Sequence, residues 1–99
     1  MIVLISRSAE AELERIADRI ALDNPKRSVT FVQELISRCT SLGDMPLAFP
    51  ILPRYAHLGV RRRVHGNYLI FYRITGKTIE VLHILHGAQN YEDFLFPEI

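Results

Sequence analysis

Three consecutive arginines, Arg61, Arg62 and Arg63, are the side chains whose type and spacing point most directly to chemistry. Successive side chains of a strand point to opposite faces, so Arg61 and Arg63 are expected to project together, opposite to the neighbouring valines. Two adjacent guanidinium groups can bind phosphate groups or carboxylates. Charge also protects edge strands from aggregation, and the residues alone leave both interpretations open.

The charge distribution favours an acidic or anionic partner for this half of the chain. No Asp or Glu occurs between Met45 and Ile79, although the net charge of the whole chain is only +1. Arg73 lies on the next predicted strand and Arg54 in the preceding loop, so an antiparallel arrangement is expected to gather one basic patch. The candidate binding residues are this patch and two aromatic residues of the apolar C-terminal tail: Arg54, Arg61, Arg63, Arg73, Tyr91 and Phe94.

The other reactive side chains favour structural roles. His57 and His65 lie in a loop and a turn, while His83 and His86 are expected on opposite faces of one strand. No carboxylate lies at ligand spacing from them in the sequence. Cys39 falls on the apolar stripe of a helix, where a free cysteine packs as a small hydrophobic residue. The sequence therefore predicts no catalytic residues, no metal and no other cofactor.

Length and composition limit the class of protein. The chain has 99 residues, of which 48% are apolar, so one small globular domain over residues 1–99 is expected. The longest apolar run is far shorter than the roughly 18 residues of a membrane span, and no signal pattern opens the chain. One cysteine excludes an internal disulfide framework. We therefore expect a cytoplasmic protein.

The first half of the chain predicts a strand and two helices. Residues 1–5 are apolar and β-branched, as in a buried strand. A helix is predicted from Ala9 to about Leu22, with Ser8 as its N-cap and its acidic residues on a solvated face. Asn24 and Pro25 then begin a second helix, which Gly43 ends. Its predicted buried stripe comprises Val32, Leu35, Ile36, Cys39 and Leu42.

The second half predicts a loop followed by three strands. Three prolines exclude regular structure throughout residues 45–58. Strands are predicted at 60–64, 68–74 and 78–86, separated by turns with Gly66 and Gly76. The middle strand is apolar enough to be covered on both faces. The expected fold is α+β, in the order β-α-α-β-β-β, with a helical hairpin packed on a small, mainly antiparallel sheet.

Two stretches carry a family resemblance, Asn67–Ile74 and Ile79–Asn90. With the order of the elements, they make the chain similar to toxins of the RelE/ParE superfamily of bacterial type II toxin–antitoxin modules. The resemblance covers essentially the whole chain. The strand with Tyr68, Tyr72 and Arg73, and the following strand that ends in His86-Gly87, are its most specific parts.

The branch within this superfamily decides the implied activity. RelE-like toxins cut messenger RNA on the ribosome, and the resemblance would require a basic residue at Leu69 and an arginine within residues 87–90, which hold Gly-Ala-Gln-Asn. The alternative catalytic set for that branch is Arg61, Arg63, Arg73, His86 and Tyr91. ParE-like toxins inhibit DNA gyrase by binding it. The Tyr72-Arg73 pair and the His86-Gly87 ending resemble this branch, although Gln89 and Asn90 replace a charged pair common in its tails.

The ParE-like resemblance also implies the partners. A cognate ParD-like antitoxin would neutralise the toxin in a hetero-oligomer, and DNA gyrase would be the target. Arg61, Arg63 and Arg73 are candidate anchors for carboxylates of a disordered acidic antitoxin segment. Neither a membrane nor direct sequence-specific binding of nucleic acid is expected. A toxin that has lost its activity and binds only its antitoxin is a further alternative.

Overall fold

The computed structural model describes residues 1–87, which form two helices packed on one face of a four-stranded sheet. The strands and helices follow the order β1 (Ile2–Ile5), α1 (Arg7–Ala21), α2 (Pro25–Thr40), β2 (Arg61–His65), β3 (Tyr68–Thr75) and β4 (Thr78–His86). Short 3-10 helices lie at Ser41–Gly43 and Pro53–Leu58. The predicted α+β fold and its β-α-α-β-β-β order are confirmed. The apolar C-terminal tail with Tyr91 and Phe94 lies outside the described residues.

The two helix starts differ in how well the sequence predicts them. Asn24 caps α2 as expected, since its Oδ1 accepts a hydrogen bond from the backbone N–H of Arg27 at 3.0 Å. Ser8 was the wrong cap for α1, because the helix begins at Arg7 and Ser6 precedes it. The Ser6 hydroxyl accepts from the N–H of Ala9 at 3.1 Å and donates to the carbonyl of Leu82 at 2.8 Å. Ser6 thus joins the helix start to the sheet.

The helices bury their apolar stripes against one face of the sheet. Leu13 and Ile16 of α1 and Leu35 and Cys39 of α2 belong to this main core. Ile36 was expected there but is 41% exposed, so it lies at the margin of the buried stripe of α2. Within residues 1–87, neither helix is long and apolar enough to cross a membrane.

The strand order is β1-β4-β3-β2, with β1 parallel to β4 and the other pairs antiparallel. β1 therefore forms an edge of the sheet, and the predicted fully buried strand is wrong. Its inward side chains, Val3 and Ile5, contact the main core. Ile2 and Leu4 point to the opposite face and are 66% and 55% exposed.

Strand β3 is the central strand that the sequence predicts. All five residues from Tyr68 to Tyr72 are buried. The helices cover one face, and the 3-10 segment at 53–58 covers the other through a second core cluster. This second cluster comprises Tyr55, Val60, Leu69, Phe71 and Leu85.

A β-bulge interrupts the pairing of β3 with β4. Phe71 lies opposite His83, but the next residue, Tyr72, lies opposite Val81, so Leu82 is the extra residue. A bulge changes which face the following side chains occupy. Ile79 and Val81 before the bulge and Ile84 after it therefore all belong to the main core. His86 lies opposite Tyr68 of the main core and His83 opposite Phe71 of the second cluster, so the register agrees with the expectation that the two histidines face opposite sides.

Candidate protein-binding site

The two paired arginines of β2 lie together, as predicted, but on the face that carries the helices. Arg61 lies opposite Tyr72 and Arg63 opposite Ile70, and both partners belong to the main core. Arg61 donates to the backbone carbonyl of Phe49 at 2.7 Å. Each arginine therefore reaches across the edge of the core towards neighbouring segments of the chain.

Arg63 is the more extensively bonded of the pair. Its Nη1 donates to the carbonyl of Arg38 at 3.0 Å and to the hydroxyl of Ser41 at 2.7 Å. Its guanidinium carbon lies 4.5 Å from the ring centroid of Phe49, a cation–π distance. Burial lowers the pKa of Arg63, and the neighbouring charge of Arg38 acts in the same direction. This side chain fastens both the end of α2 and the proline-rich loop to the sheet.

Tyr72 adds a third attachment of the same loop. Its hydroxyl donates to the carbonyl of Pro46 at 2.9 Å, and burial raises its pKa. The loop thus rests on contacts from β2 and β3. The predicted packed loop over residues 45–58 is confirmed, and the arginines supply part of its packing.

The expected single basic patch is wrong. Arg62 lies opposite Phe71, and Arg73 follows Tyr72 on β3, so both occupy the face opposite to Arg61 and Arg63. Arg54 belongs to the 3-10 segment over that second face, with its guanidinium carbon 5.7 Å from the ring centroid of Tyr55. The two valines do not identify which face of β2 is buried. Val60 is buried in the second cluster, whereas Val64 is 58% exposed.

Arg73 is paired across the sheet. Its Nε donates to Oε1 of Glu80 at 3.0 Å, and the two side chains are 39% and 40% exposed. A half-exposed pair of this kind contributes little to stability. Both groups are therefore accessible from solvent on this face.

The alternative nuclease set does not converge in the described residues. Arg61, Arg63 and His86 lie on the helix-bearing face, but Arg73 lies on the opposite one. His86 instead borders an open cavity of about 400 Å³ with Tyr68, Arg19 and Arg27. Sequence reasoning missed the two helix arginines, since no spacing along the chain connects the ends of α1 and α2 to β4. Tyr91 and Phe94 lie outside the described residues.

Two histidines have carboxylate partners that their sequence spacing did not reveal. Nε2 of His65 lies 3.0 Å from Oε1 of Glu34, and Nδ1 of His83 lies 3.0 Å from Oε2 of Glu12. Glu12 is buried in the interior, so its assignment to a solvated helix face is wrong. No group of three metal-ligating side chains occurs among residues 1–87.

We expect Cys39 to resist alkylation in the folded protein. It is fully buried, and burial raises the pKa of its thiol from 9.0 to about 12. At pH 8 only about one thiol in ten thousand is then ionised, and the thiolate is the reactive form. Mass spectrometry after iodoacetamide treatment should show labelling in denaturant and almost none in its absence.

The same shift sets a pH dependence of stability. Because the folded pKa lies above the unfolded value, the contribution of Cys39 is complete below about pH 9 and declines as the pH rises towards 12. A Cys39→Ala variant should lack this part of the alkaline decline. Rapid labelling of the native thiol at pH 8 would contradict both expectations.

Comparisons with known proteins identify a matching protein family and solved structures with a similar fold. Residues 3–91 match the family described as ParE toxin of type II toxin-antitoxin system, parDE. A search of curated proteins found no match. Among solved structures, the chain resembles one from the chromosomal ParDE TA system from P. aeruginosa, with 24% identity and a TM-score of 0.71 over 87% of this chain and 95% of that one.

A second solved structure has the same fold at lower similarity. It comes from the toxin-antitoxin complex RelBE2 from Mycobacterium tuberculosis, with 21% identity and a TM-score of 0.62 over 86% of this chain and 95% of that one. These two likenesses concern the fold, and the family match covers nearly the whole sequence. The chain belongs to the ParE toxin family of type II toxin–antitoxin systems.

Proposed function

We propose that this toxin inhibits DNA gyrase in the cytoplasm by binding it as a protein ligand, without catalysing a reaction. The position after the first tyrosine of β3 carries this proposal. The RelE-like interpretation requires a basic side chain there, whereas Leu69 is an apolar residue buried against Phe71 and Leu85. Cleavage of a phosphodiester relies on positive charge placed at the phosphate, and no such charge stands at this position.

The separation of the arginines supports the same conclusion. A nuclease needs its cationic groups to converge on one phosphate. Arg73 faces away from Arg61 and Arg63, and it is paired with Glu80. Cations on two faces of a sheet suit a partner that makes contacts over a broad surface.

We further propose that a ParD-like antitoxin neutralises the toxin through an acidic segment that passes around the β2 edge. Arg61 and Arg63 lie on one face of β2, and Arg73 lies on the opposite face of the adjacent strand. A flexible acidic segment that crosses this edge can reach the arginines of both faces. Broad contact of this kind offsets the entropy lost when a disordered chain becomes ordered.

The antitoxin proposal predicts a salt-dependent loss of affinity in a double variant. Changing Arg61→Ala together with Arg63→Ala should weaken antitoxin binding roughly tenfold at low salt, and the loss should shrink as salt is added. Titration calorimetry at two salt concentrations measures both. Arg62→Ala is the control on the same strand: it removes one positive charge from the opposite face and should weaken binding much less than the double variant.

Thermal unfolding of the two variants separates binding from folding. Arg61 and Arg63 both bond to backbone carbonyls of their own chain, so their removal is also expected to lower the melting temperature. The binding experiment is therefore made at a temperature where both variants are folded. An unchanged dissociation constant at low salt would show that these arginines serve only the fold and the sheet edge.

A gyrase supercoiling assay with purified, antitoxin-free protein tests the main proposal. We expect inhibition with accumulation of cleaved DNA, and relief when a ParD-like antitoxin is added. Folded protein that leaves gyrase active but cuts messenger RNA in a translating extract would replace this function with the RelE-like one. Folded protein that does neither and still binds antitoxin would indicate a toxin without activity.

A further inference from the structure

The two edges of the sheet are protected very differently. At the β2 edge, the N–H of Leu52 donates to the carbonyl of Val60 at 2.9 Å and that of Arg62 donates to Pro50 at 3.1 Å. Ile51 forms a bridge with Arg61, and three arginines follow one another on the strand. A covering segment and charge are both ways in which proteins prevent strands from pairing between molecules.

Within residues 1–87, the β1 edge is neither charged nor covered by a paired segment, and one contact flanks its start, where the Met1 ammonium donates to the carbonyl of Gly43 at 2.9 Å. Its four residues, Ile2-Val3-Leu4-Ile5, carry no charge and no proline, and the strand pairs only with β4. Ile2 and Leu4 are more than half exposed on the face opposite to the helices. An uncharged edge strand with exposed apolar side chains is a template for another strand.

The backbone at this edge is oriented for such pairing. The N–H of Ser6 donates to the carbonyl of Val81 at 3.0 Å, so the amide of Ser6 faces β4. Amide groups alternate in direction along a strand, so those of Ile2 and Leu4 also face β4, and those of Val3 and Ile5 face outward. Val3 and Ile5 thus present two N–H donors and two carbonyl acceptors to an incoming strand.

We propose that β1 of a second copy of this chain pairs antiparallel with this edge and forms a symmetric dimer of the antitoxin-free toxin. A two-fold axis at Leu4 places Val3 of each copy opposite Ile5 of the other. The two outward-facing residues of each copy then exchange four hydrogen bonds, and the two Leu4 side chains lie side by side. No like charges meet at the junction, because the strand has none.

A second copy of β1 as the pairing partner also agrees with the rest of the molecule. Pairing of identical strands about a two-fold axis is closed, since each copy uses the one sheet edge that no segment of residues 1–87 pairs with. The protected β2 edge prevents the eight-stranded sheet from growing further at either end. The interface is small, so the dimer should be weak and should dissociate on dilution.

Sedimentation equilibrium of the antitoxin-free chain tests the pairing. We expect a monomer–dimer equilibrium between about 5 and 500 µM, the range that suits a small interface. Leu4→Lys opposes two charges across the axis and should weaken association at least tenfold. Val64→Lys is the control, because Val64 is similarly exposed but lies on β2. This variant should associate as strongly as the unchanged chain, with the same average mass at each concentration.

Cysteine cross-linking tests the register. Leu4 would occupy a non-hydrogen-bonded pair, in which Cα atoms lie about 4.5 Å apart, within the range that a disulfide spans. Leu4→Cys should therefore form a disulfide-linked dimer on mild oxidation. Ile2→Cys, equally exposed on the same face, should not, because the two-fold axis carries the two copies of residue 2 far apart.

Three results would overturn the proposal: a monomer at all concentrations, a dimer that Leu4→Lys leaves intact, or equal cross-linking at positions 2 and 4. Circular dichroism of each variant confirms that it is folded before its mass is interpreted. Cys39 does not interfere, because it is fully buried. None of these measurements depends on gyrase or on antitoxin.

Discussion

Changing Glu12→Ala is expected to lower the free energy of unfolding by about 3 kcal/mol. The Glu12 side chain is only 8% exposed, and its Oε1 accepts a hydrogen bond from the backbone N–H of Ile84 at 3.0 Å. Its other oxygen lies 3.0 Å from Nδ1 of His83. Alanine removes the acceptor and leaves a buried N–H without its partner. Urea unfolding at neutral pH, followed by circular dichroism, measures the loss.

Glu12→Gln is the matched control for this prediction. The amide has nearly the same shape, its oxygen can still accept from Ile84, and its NH₂ can donate to His83. We expect it to retain most of the stability that alanine removes. If the two variants unfold at the same urea concentration, the oxygen acceptor at this position does not contribute to stability.

The second large effect is expected from Ile70→Ala. Ile70 is fully buried at the centre of β3 and belongs to the main core beneath the helices. Removing a buried aliphatic side chain loses its transfer free energy and leaves a cavity, at a cost of about 2–5 kcal/mol. Small domains have a total stability of about 5–15 kcal/mol, so this change can unfold the protein near body temperature.

Val64→Ala provides the comparison on the neighbouring strand. Val64 is 58% exposed, and its truncation should change the free energy of unfolding by about 0.5 kcal/mol or less. Denaturant midpoints of the two variants should therefore differ clearly. A small loss for Ile70→Ala would mean that the helices collapse onto the sheet and fill the space.

Sequence patterns predict a helix or strand correctly where its boundaries are set by residues adjacent in the sequence. Asn24 and Pro25 identify the start of α2, and the strand predicted at 78–86 corresponds to β4. The predicted N-cap of α1 was wrong because two serines, Ser6 and Ser8, lie close together in the sequence. What selects Ser6 is its second bond to Leu82, a residue 76 positions away.

It was harder to predict which side chains point to which face of the sheet, because a single inserted residue reverses the alternation along a strand. One extra residue, Leu82, shifts the phase of β4, so that Ile79 and Val81 before it and Ile84 after it all face the main core, and the alternation of β4 itself gives no sign of it. Glu12 is a related case. Its sequence neighbours place it on an acidic helix surface, but the end of β1 leaves the N–H of Ile84 available on β4, and Glu12 occupies that position. Both features arise from contacts distant in sequence.

The pairing of β1 with β4 has a consequence for the order of events during synthesis. The first strand emerges from the ribosome early, yet its only strand partner within residues 1–87 is the last strand to be made. At about 5–20 residues per second, several seconds separate the two. Ser6 and Glu12 must wait for the same partner. The sheet of this toxin therefore closes only after β4 has been made, and chains that stop before β4 lack the finished fold.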